Sequence, residues 1–293
     1  MTDPAEKQLD LKKRRIGFEK AAHSYDEAAV LQREIAERLL ARLEYIKLTP
    51  SRILDLGAGT GYVSKDLLQR YSRSQIVAVD ISLNMLKIAA QQRHWLRKPR
   101  VVCASAEALP FTDACFDMVV SNLMLQWCEG LPDIFAGINR ILTGNGLFTF
   151  TTFGPDTMKE LRQSWAQVDG YQHTSQFVDM HDVGDALMQA GFQQPVVDME
   201  MITLTYSSLS SLMKDIKKIG ATNAAVNRNP GLTGKQRFTA LEKAYEQFRT
   251  PEGRYPLSYE VIYGHGWATA DIEIGGDKGG KGRRVIPIKV VEP

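Results

Sequence analysis

The chain has 293 residues, 44% of them hydrophobic and 24% charged, the balance of a soluble globular protein that can bury a core. A formal net charge of only +2 argues against a general nucleic-acid binder, whose positive face should be broad, and no run approaches the roughly 18 apolar residues of a membrane span. Three cysteines, Cys103, Cys115 and Cys128, have no metal-ligand spacing and cannot all pair, which excludes a disulfide scaffold and fits a reducing cytosol.

The opening segment MTDPAEKQLDLKKRR has no apolar run after its charges, so a secretory signal is not expected. A cytoplasmic location with no membrane partner is the expectation. Charge is unevenly spread. Residues 207–254 carry nine Lys/Arg against four Asp/Glu, whereas residues 51–206 carry twelve against sixteen. A basic segment on a mildly acidic body suits one acidic partner or one anionic ligand.

Leu31, Ile35, Leu39, Leu43 and Ile46 recur at helical spacing and predict an amphipathic helix over 27–47, closed by Pro50 and Ser51. ILDLG (53–57) reads as a strand ending in a glycine-rich turn, followed by a helix over 62–71. IVAVD (76–80) predicts the second strand and 82–93 the next helix. VVCA (101–104) and FDMVVSN (116–122) predict strands three and four. A helix over 132–142 and a strand over 147–153 follow, separated by the turn residues Thr143, Gly144, Asn145 and Gly146. Alternating strands and helices imply a parallel sheet covered on both faces.

Beyond residue 154 the rhythm loosens. A helix over 181–190 stops at Gly191, and long strands are predicted over 195–206 and 259–270. Between them lies a helical, basic insertion, 207–255, whose length suggests a lid or docking element. The expected organisation is a helical cap (1–50), an α/β unit (51–270) and a mobile basic tail (271–293).

The strongest chemical signal is Asp55-Leu56-Gly57-Ala58-Gly59-Thr60-Gly61 at the end of the first strand. Alternate glycines let the backbone approach a ligand because no Cβ intervenes. Asp80 ends the second strand, where an acid can accept both hydroxyls of a ribose. The run is G-x-G-x-G preceded by an acid, not the G-x-G-x-x-G that aims a helix at a pyrophosphate. It resembles the S-adenosylmethionine loop of class I methyltransferases.

Further segments of that family stand in order. Ile81 and Met85 follow Asp80, and Ala104 to Phe111 contains Ser105, Ala106 and Glu107. Phe116 to Asn122 resembles the fourth motif. Ser105 stands where the family usually has Asp. The acceptor side is more specific: Phe18 to Asp26 leading into Gln32, then LQWC (125–128), IGATN (219–223) and GRYPL (253–257). Together these resemble the malonyl-acyl-carrier-protein O-methyltransferases of biotin synthesis, from about residue 12 to 268.

The resemblance implies a Rossmann-like α/β fold with a seven-stranded, mostly parallel sheet, helices on both faces, an N-terminal helical cap and a helical insertion before the last strand. It implies S-adenosylmethionine held by Asp55, Gly57, Ala58, Gly59, Gly61, Asp80, Ile81, Met85, Ser105, Ala106, Glu107 and Asn122. Gln32 and Trp127 would position the acceptor carboxylate, and Tyr25 would close the pocket. Gln126, Arg254, Lys217 and Lys218 would meet the acceptor, and Lys214, Lys235 and Arg237 the acidic carrier protein. A carboxylate with a pKa near 4 is already ionised at pH 7 and needs no general base. No metal site, no nucleic-acid partner and a monomer are expected. The rival readings are a methyltransferase of a free small diacid and a non-catalytic S-adenosylmethionine-binding module. A nucleic-acid methyltransferase fits less well, because Ser121 to Met124 lacks the aromatic-Pro motif that receives a flipped base.

Overall fold

The computed structural model describes residues 11–218 and 234–269. Five parallel strands lead: Arg52–Leu56 (β1), Gln75–Asp80 (β2), Arg100–Cys103 (β3), Phe116–Asn122 (β4) and Leu142–Phe153 (β5). Gln193–Tyr206 (β6) and Tyr255–Trp267 (β7) complete a seven-stranded sheet in the order β3-β2-β1-β4-β5-β7-β6, with β7 antiparallel to both neighbours. β1, β2 and β4 are buried along nearly their whole length because helices cover both faces.

Val30–Arg42 (α3) and Tyr62–Arg70 (α4) pack on one face, and Leu131–Ile141 (α6) and Met180–Gln189 (α8) on the other. Leu83–Ala89 (α5) lies beside β2 and β3. The alternation within β1 is direct: Ile53 joins the first core and Leu54 the second.

The helix expected over 27–47 is divided. Tyr25–Ala28 forms a separate turn of helix (α2), Ala29 leaves helical geometry at ψ 40°, and Leu43–Tyr45 ends α3 as a 3-10 turn. Residues 143–146 do not form a turn between elements as expected; they bulge within β5. Leu142 pairs with Phe116 and Leu147 with Met118, while Asn145 N–H donates to the Ala268 carbonyl and Ala268 N–H to that of Gly146. Sheet partners for this backbone outweigh its local turn preference. Leu11–Ala21 (α1) and Lys159–Ala166 (α7) are helices that the hydrophobic pattern does not single out.

The ends of the insertion are Leu209–Lys218 (α9) and Lys235–Tyr245 (α10). Both are built into the core: Leu209, Leu212, Leu241 and Tyr245 are fully buried. The IGATN segment and the tail from 271 lie outside the described residues. Val261 of β7 pairs with Phe153, so residues 255–260 and their β6 partners continue as a ribbon past the end of β5. The carboxylate of Glu160 on α7 holds that ribbon, accepting from Ser258 N–H at 3.0 Å and its hydroxyl at 2.5 Å.

Candidate active site

The site begins with a backbone requirement. Gly57, Gly59 and Gly61 all have positive φ, which L side chains adopt at a cost. Gly57 N–H and Ala58 N–H both donate to the Val79 carbonyl, at 2.8 and 2.9 Å, tying the loop to β2. A Cβ on Gly57 would lie 2.3 Å from Met124 Cγ, and one on Gly61 would lie 2.9 Å from Ala89 Cα. The first glycine therefore lets the loop meet the segment after β4, and the third lets α4 begin against α5.

Asp80 fixes the second wall. Its carboxylate accepts from Gly59 N–H at 2.9 Å and from Ser82 N–H at 2.8 Å. One acid thus holds both the loop and the start of α5, and it lines the cavity between them.

Two adjoining cavities lie at the carboxyl ends of β1, β2 and β4. The larger, about 620 Å³ including its mouth, has apolar walls of Ile81, Met85, Ala104, Ala106 and Leu123, with Asp80 on one side. Phe18 and Trp127 also line it, packed edge to face with centroids 5.3 Å apart. The smaller, about 430 Å³, is lined by Asp55, Ala58, Thr60, Gln32 and Arg33. Tyr25, Gly57, Gly59 and Asn122 face both.

The N-terminal segment roofs these cavities through specific bonds. Glu19 of α1 accepts from Leu83 N–H at 2.8 Å and Asn84 N–H at 3.1 Å, supplying a charged cap to α5 from a distant element. Thr60 hydroxyl donates to Asp26 at 2.6 Å, tying α2 to the glycine loop. Asn122 Nδ2 donates to the Gln32 carbonyl at 3.1 Å, and its Oδ1 accepts from Thr151 at 2.8 Å. The amide between the two cavities is therefore held from both sides.

Two pKa shifts follow from burial. Asp55 is buried, and desolvation raises its carboxyl to about 7, against the bond it accepts from Ser64 at 2.5 Å; Asp80 raises it further. The Tyr25 phenol is pushed well up by burial, then by Asp80 and Asp26. It stays a neutral O–H donor and is not a base.

The sequence-predicted residues separate into two groups. Asp55, Gly57, Ala58, Gly59, Asp80, Ile81, Met85, Ala106 and Asn122 converge on the cavities with Tyr25, Gln32 and Trp127. Gly61 supports the loop from behind. The other predicted residues lie outside the lining of the two cavities. Ser105 donates to Glu107 on the exposed side of the loop, leaving Ala104 and Ala106 as the wall. Gln126 Nε2 bonds back to the Leu123 carbonyl at 2.7 Å, outside the lining. Arg254 reaches across to Thr205, donating to its carbonyl at 2.7 Å and its hydroxyl at 3.0 Å, where β6 and β7 end. Lys217 and Lys218 are exposed at the end of α9, and Arg237 lies 3.8 Å from Asp169.

Phe18 and Arg33 line the cavities but were not singled out in the sequence. Arg33 was legible in part: Ala29, Gln32, Arg33 and Ala36 recur at i, i+3, i+4 and i+7, a second face of α3 beside its core stripe.

A methyltransferase domain family matches residues 54–150. The chain is 46% identical to a malonyl-[acyl-carrier protein] O-methyltransferase of Gallionella capsiferriformans over 89% of its length and 92% of the relative's. It is 47% identical to one of Halorhodospira halophila over 86% of each. Among solved structures, YcgJ of Bacillus subtilis shares the fold with a TM-score of 0.56 at 18% identity, covering 80% of this chain and 98% of that one. With the glycine loop, its acid partner and the cavities they line, the chain belongs to the malonyl-[acyl-carrier protein] O-methyltransferase family.

Proposed function

We propose that the protein, acting as a monomer in the cytoplasm, methylates the free carboxylate of a malonyl thioester borne by acyl carrier protein, in the biotin pathway. S-adenosylmethionine is the donor, and the products are the methyl ester and S-adenosylhomocysteine. The observation that carries this reading is the match, over nearly the full chain, to relatives named for that activity. The free-diacid alternative is not favoured by those relatives.

The cavities suit the cofactor. Apolar walls at Ile81, Met85, Ala104 and Ala106 fit an adenine, and Asp80 fits a ribose diol. The smaller cavity offers a cation, Arg33, a carboxyl, Asp55, and an amide, Gln32, a donor set for an amino-acid end. This supports a role for Gln32 toward the cofactor rather than the acceptor. When bound, the cofactor supplies an electrophilic sulfonium methyl.

The chain's own residues then have three tasks. Asn122 and Tyr25, at the junction of the cavities, mark where donor and acceptor meet. Trp127 and Phe18 exclude water, so that orientation, which alone can be worth roughly 7–11 kcal/mol, is not lost to solvent. No residue need take a proton, because the acceptor carboxylate arrives ionised.

The test is a methyl-transfer assay with labelled donor, offering malonyl-carrier protein, malonyl-coenzyme A and free malonate. Base-labile label should appear fastest on the carrier thioester. Label on free malonate alone, or on none, refutes the assignment.

Asp55 gives a pH prediction. In the free chain its carboxyl is neutral below about pH 7, whereas an ammonium beside it favours the carboxylate. Cofactor affinity should therefore rise with pH through about 7 and level off above, by at most about tenfold per unit below it. Asp55→Asn should flatten that profile. The sign for stability is opposite: the folded chain keeps a proton that the unfolded chain has lost between about pH 4 and 7, so stability falls across that window. Calorimetric titrations between pH 5.5 and 8.5 check both variants, and a flat native profile sinks the idea.

The exposed cations of α9 are assigned to the carrier. Charge reversal at Lys217 and Lys218 should raise KM for the carrier-bound substrate about tenfold at low salt, with the gap closing as salt screens it. An unchanged KM rejects this surface.

A further inference from the structure

The loop between α5 and β3 is unlike the rest of the surface. Trp95 is 85% exposed and Leu96 is 99% exposed, two large apolar side chains presented side by side. Trp95 has φ +57°, a left-handed conformation costly for a bulky side chain.

That conformation is held in place. His94 and Arg97 exchange backbone hydrogen bonds at 3.1 Å across the tip. Arg97 also donates to the Leu68 carbonyl at 2.7 Å and to the Ser74 carbonyl. The guanidinium thus bolts the loop to α4 and to the residue before β2. A strained tip held by its own anchors, with its apolar pair turned outward, is poorly explained by folding alone.

Charge surrounds the pair. Residues 81–106 contain Lys87, Arg93, Arg97, Lys98 and Arg100 and no Asp or Glu. Arg93, Lys98 and Arg100 are exposed, as is Arg73 next to the anchoring Ser74. The tip is fixed where β2 starts, whereas Asp80, at its other end, lines the cavity; six residues of strand, about 20 Å, separate them. This surface is not a wall of the candidate active site.

We propose that the Trp95–Leu96 tip is a peripheral contact for an anionic lipid surface. An indole and an isobutyl group suit the headgroup boundary, and the exposed cations near them in the chain suit anionic headgroups. The exposed apolar pair is only two residues of a tight loop, too few for a stable protein interface, whereas lipid contact needs only a few inserted groups. That no helix among the described residues is long and apolar enough to cross a membrane is no obstacle, because the contact is interfacial, although it departs from the sequence expectation of no membrane partner.

The built-in reporter is Trp95, because Trp127, Trp165 and Trp267 are buried or half-buried. The full chain is titrated with vesicles of phosphatidylcholine containing about one third phosphatidylglycerol, an amount chosen to give a strongly anionic surface. Tryptophan emission should shift to the blue, and the protein should sediment with the vesicles. Pure phosphatidylcholine vesicles, Trp95→Ser with Leu96→Ser, and Arg93→Glu with Lys98→Glu should each weaken binding at least about tenfold. Methyl transfer to a soluble carrier substrate should be retained in these variants.

Lysine reversal at 217 and 218 should leave vesicle binding unchanged. No binding to anionic vesicles, or equal binding by the Trp95/Leu96 variant, overturns the proposal. A concentration-dependent dimer that disappears in that variant would also overturn it, assigning the tip to a second copy of the chain.

Discussion

Gly57→Ala should lower kcat/KM at least about 100-fold and weaken cofactor binding correspondingly, while the protein remains folded. The residue has φ +78°, where a Cβ costs roughly 1–2 kcal/mol. The larger penalty is steric, because the new methyl would stand 2.3 Å from Met124 Cγ and 2.5 Å from Met124 Cβ. Relief must move either Met124, which lines the larger cavity, or the loop, whose N–H groups are bound to Val79. Either shift displaces Asp80's partner Gly59 or narrows the cavity, and about 2.7 kcal/mol of lost binding corresponds to the 100-fold fall. The sheet beneath is untouched, so thermal unfolding should shift by only a few degrees. Gly137→Ala is the control: it lies within α6, nothing stands within 4 Å of its new Cβ, and activity should not change. Normal activity in Gly57→Ala would show that the loop is not the cofactor cradle.

Tyr25 should separate ring from hydroxyl. Tyr25→Ala removes a wall common to both cavities and should reduce kcat about 100-fold, since water then enters where donor and acceptor meet. Tyr25→Phe keeps the wall. Its phenol is held neutral by burial and by Asp80 and Asp26, so the change removes a neutral hydroxyl and no charge. Any hydrogen bond that this hydroxyl makes to a bound ligand is worth about 0.5–1.5 kcal/mol, and a fall of no more than about tenfold is expected. The pH–rate profile of Tyr25→Phe should match that of the native chain. Equal, large losses in both variants, with a lost basic limb, would mean that the hydroxyl carries a proton after all.

Parts of this architecture were legible because their causes are local. The strands at 53–57, 76–80 and 116–122 announce themselves as short apolar runs closed by Gly, Asp or Asn, and the sheet places them within a residue or two. Gly57, Gly59 and Gly61 mark a loop whose backbone can come close to other groups, and the structure adds that all three have positive φ. The core stripe of α3, with Leu31, Ile35 and Leu39 buried, follows from helical period alone. Residues 143–146 misled for the complementary reason. Their composition favours a turn, but Ala268, more than 120 residues away, supplies the hydrogen bonds that draw them into the sheet.

The sequence by itself determined the fold class, the glycine loop with its acid partner, and the family to which the chain belongs. The fold class rests on backbone preferences and short periods that act within a few residues, and the family on the resemblance of its motifs. Only the tertiary structure decided that Gln32 faces the cavity with Arg33 and Asp55, and that Arg254 donates to Thr205. It alone showed Glu19 capping α5 across 64 residues, and Trp95 and Leu96 left outside the core that their composition would assign them. These are contacts through space between elements far apart in the chain. Their partners are chosen by packing the sheet and helices together, so no local pattern could name them.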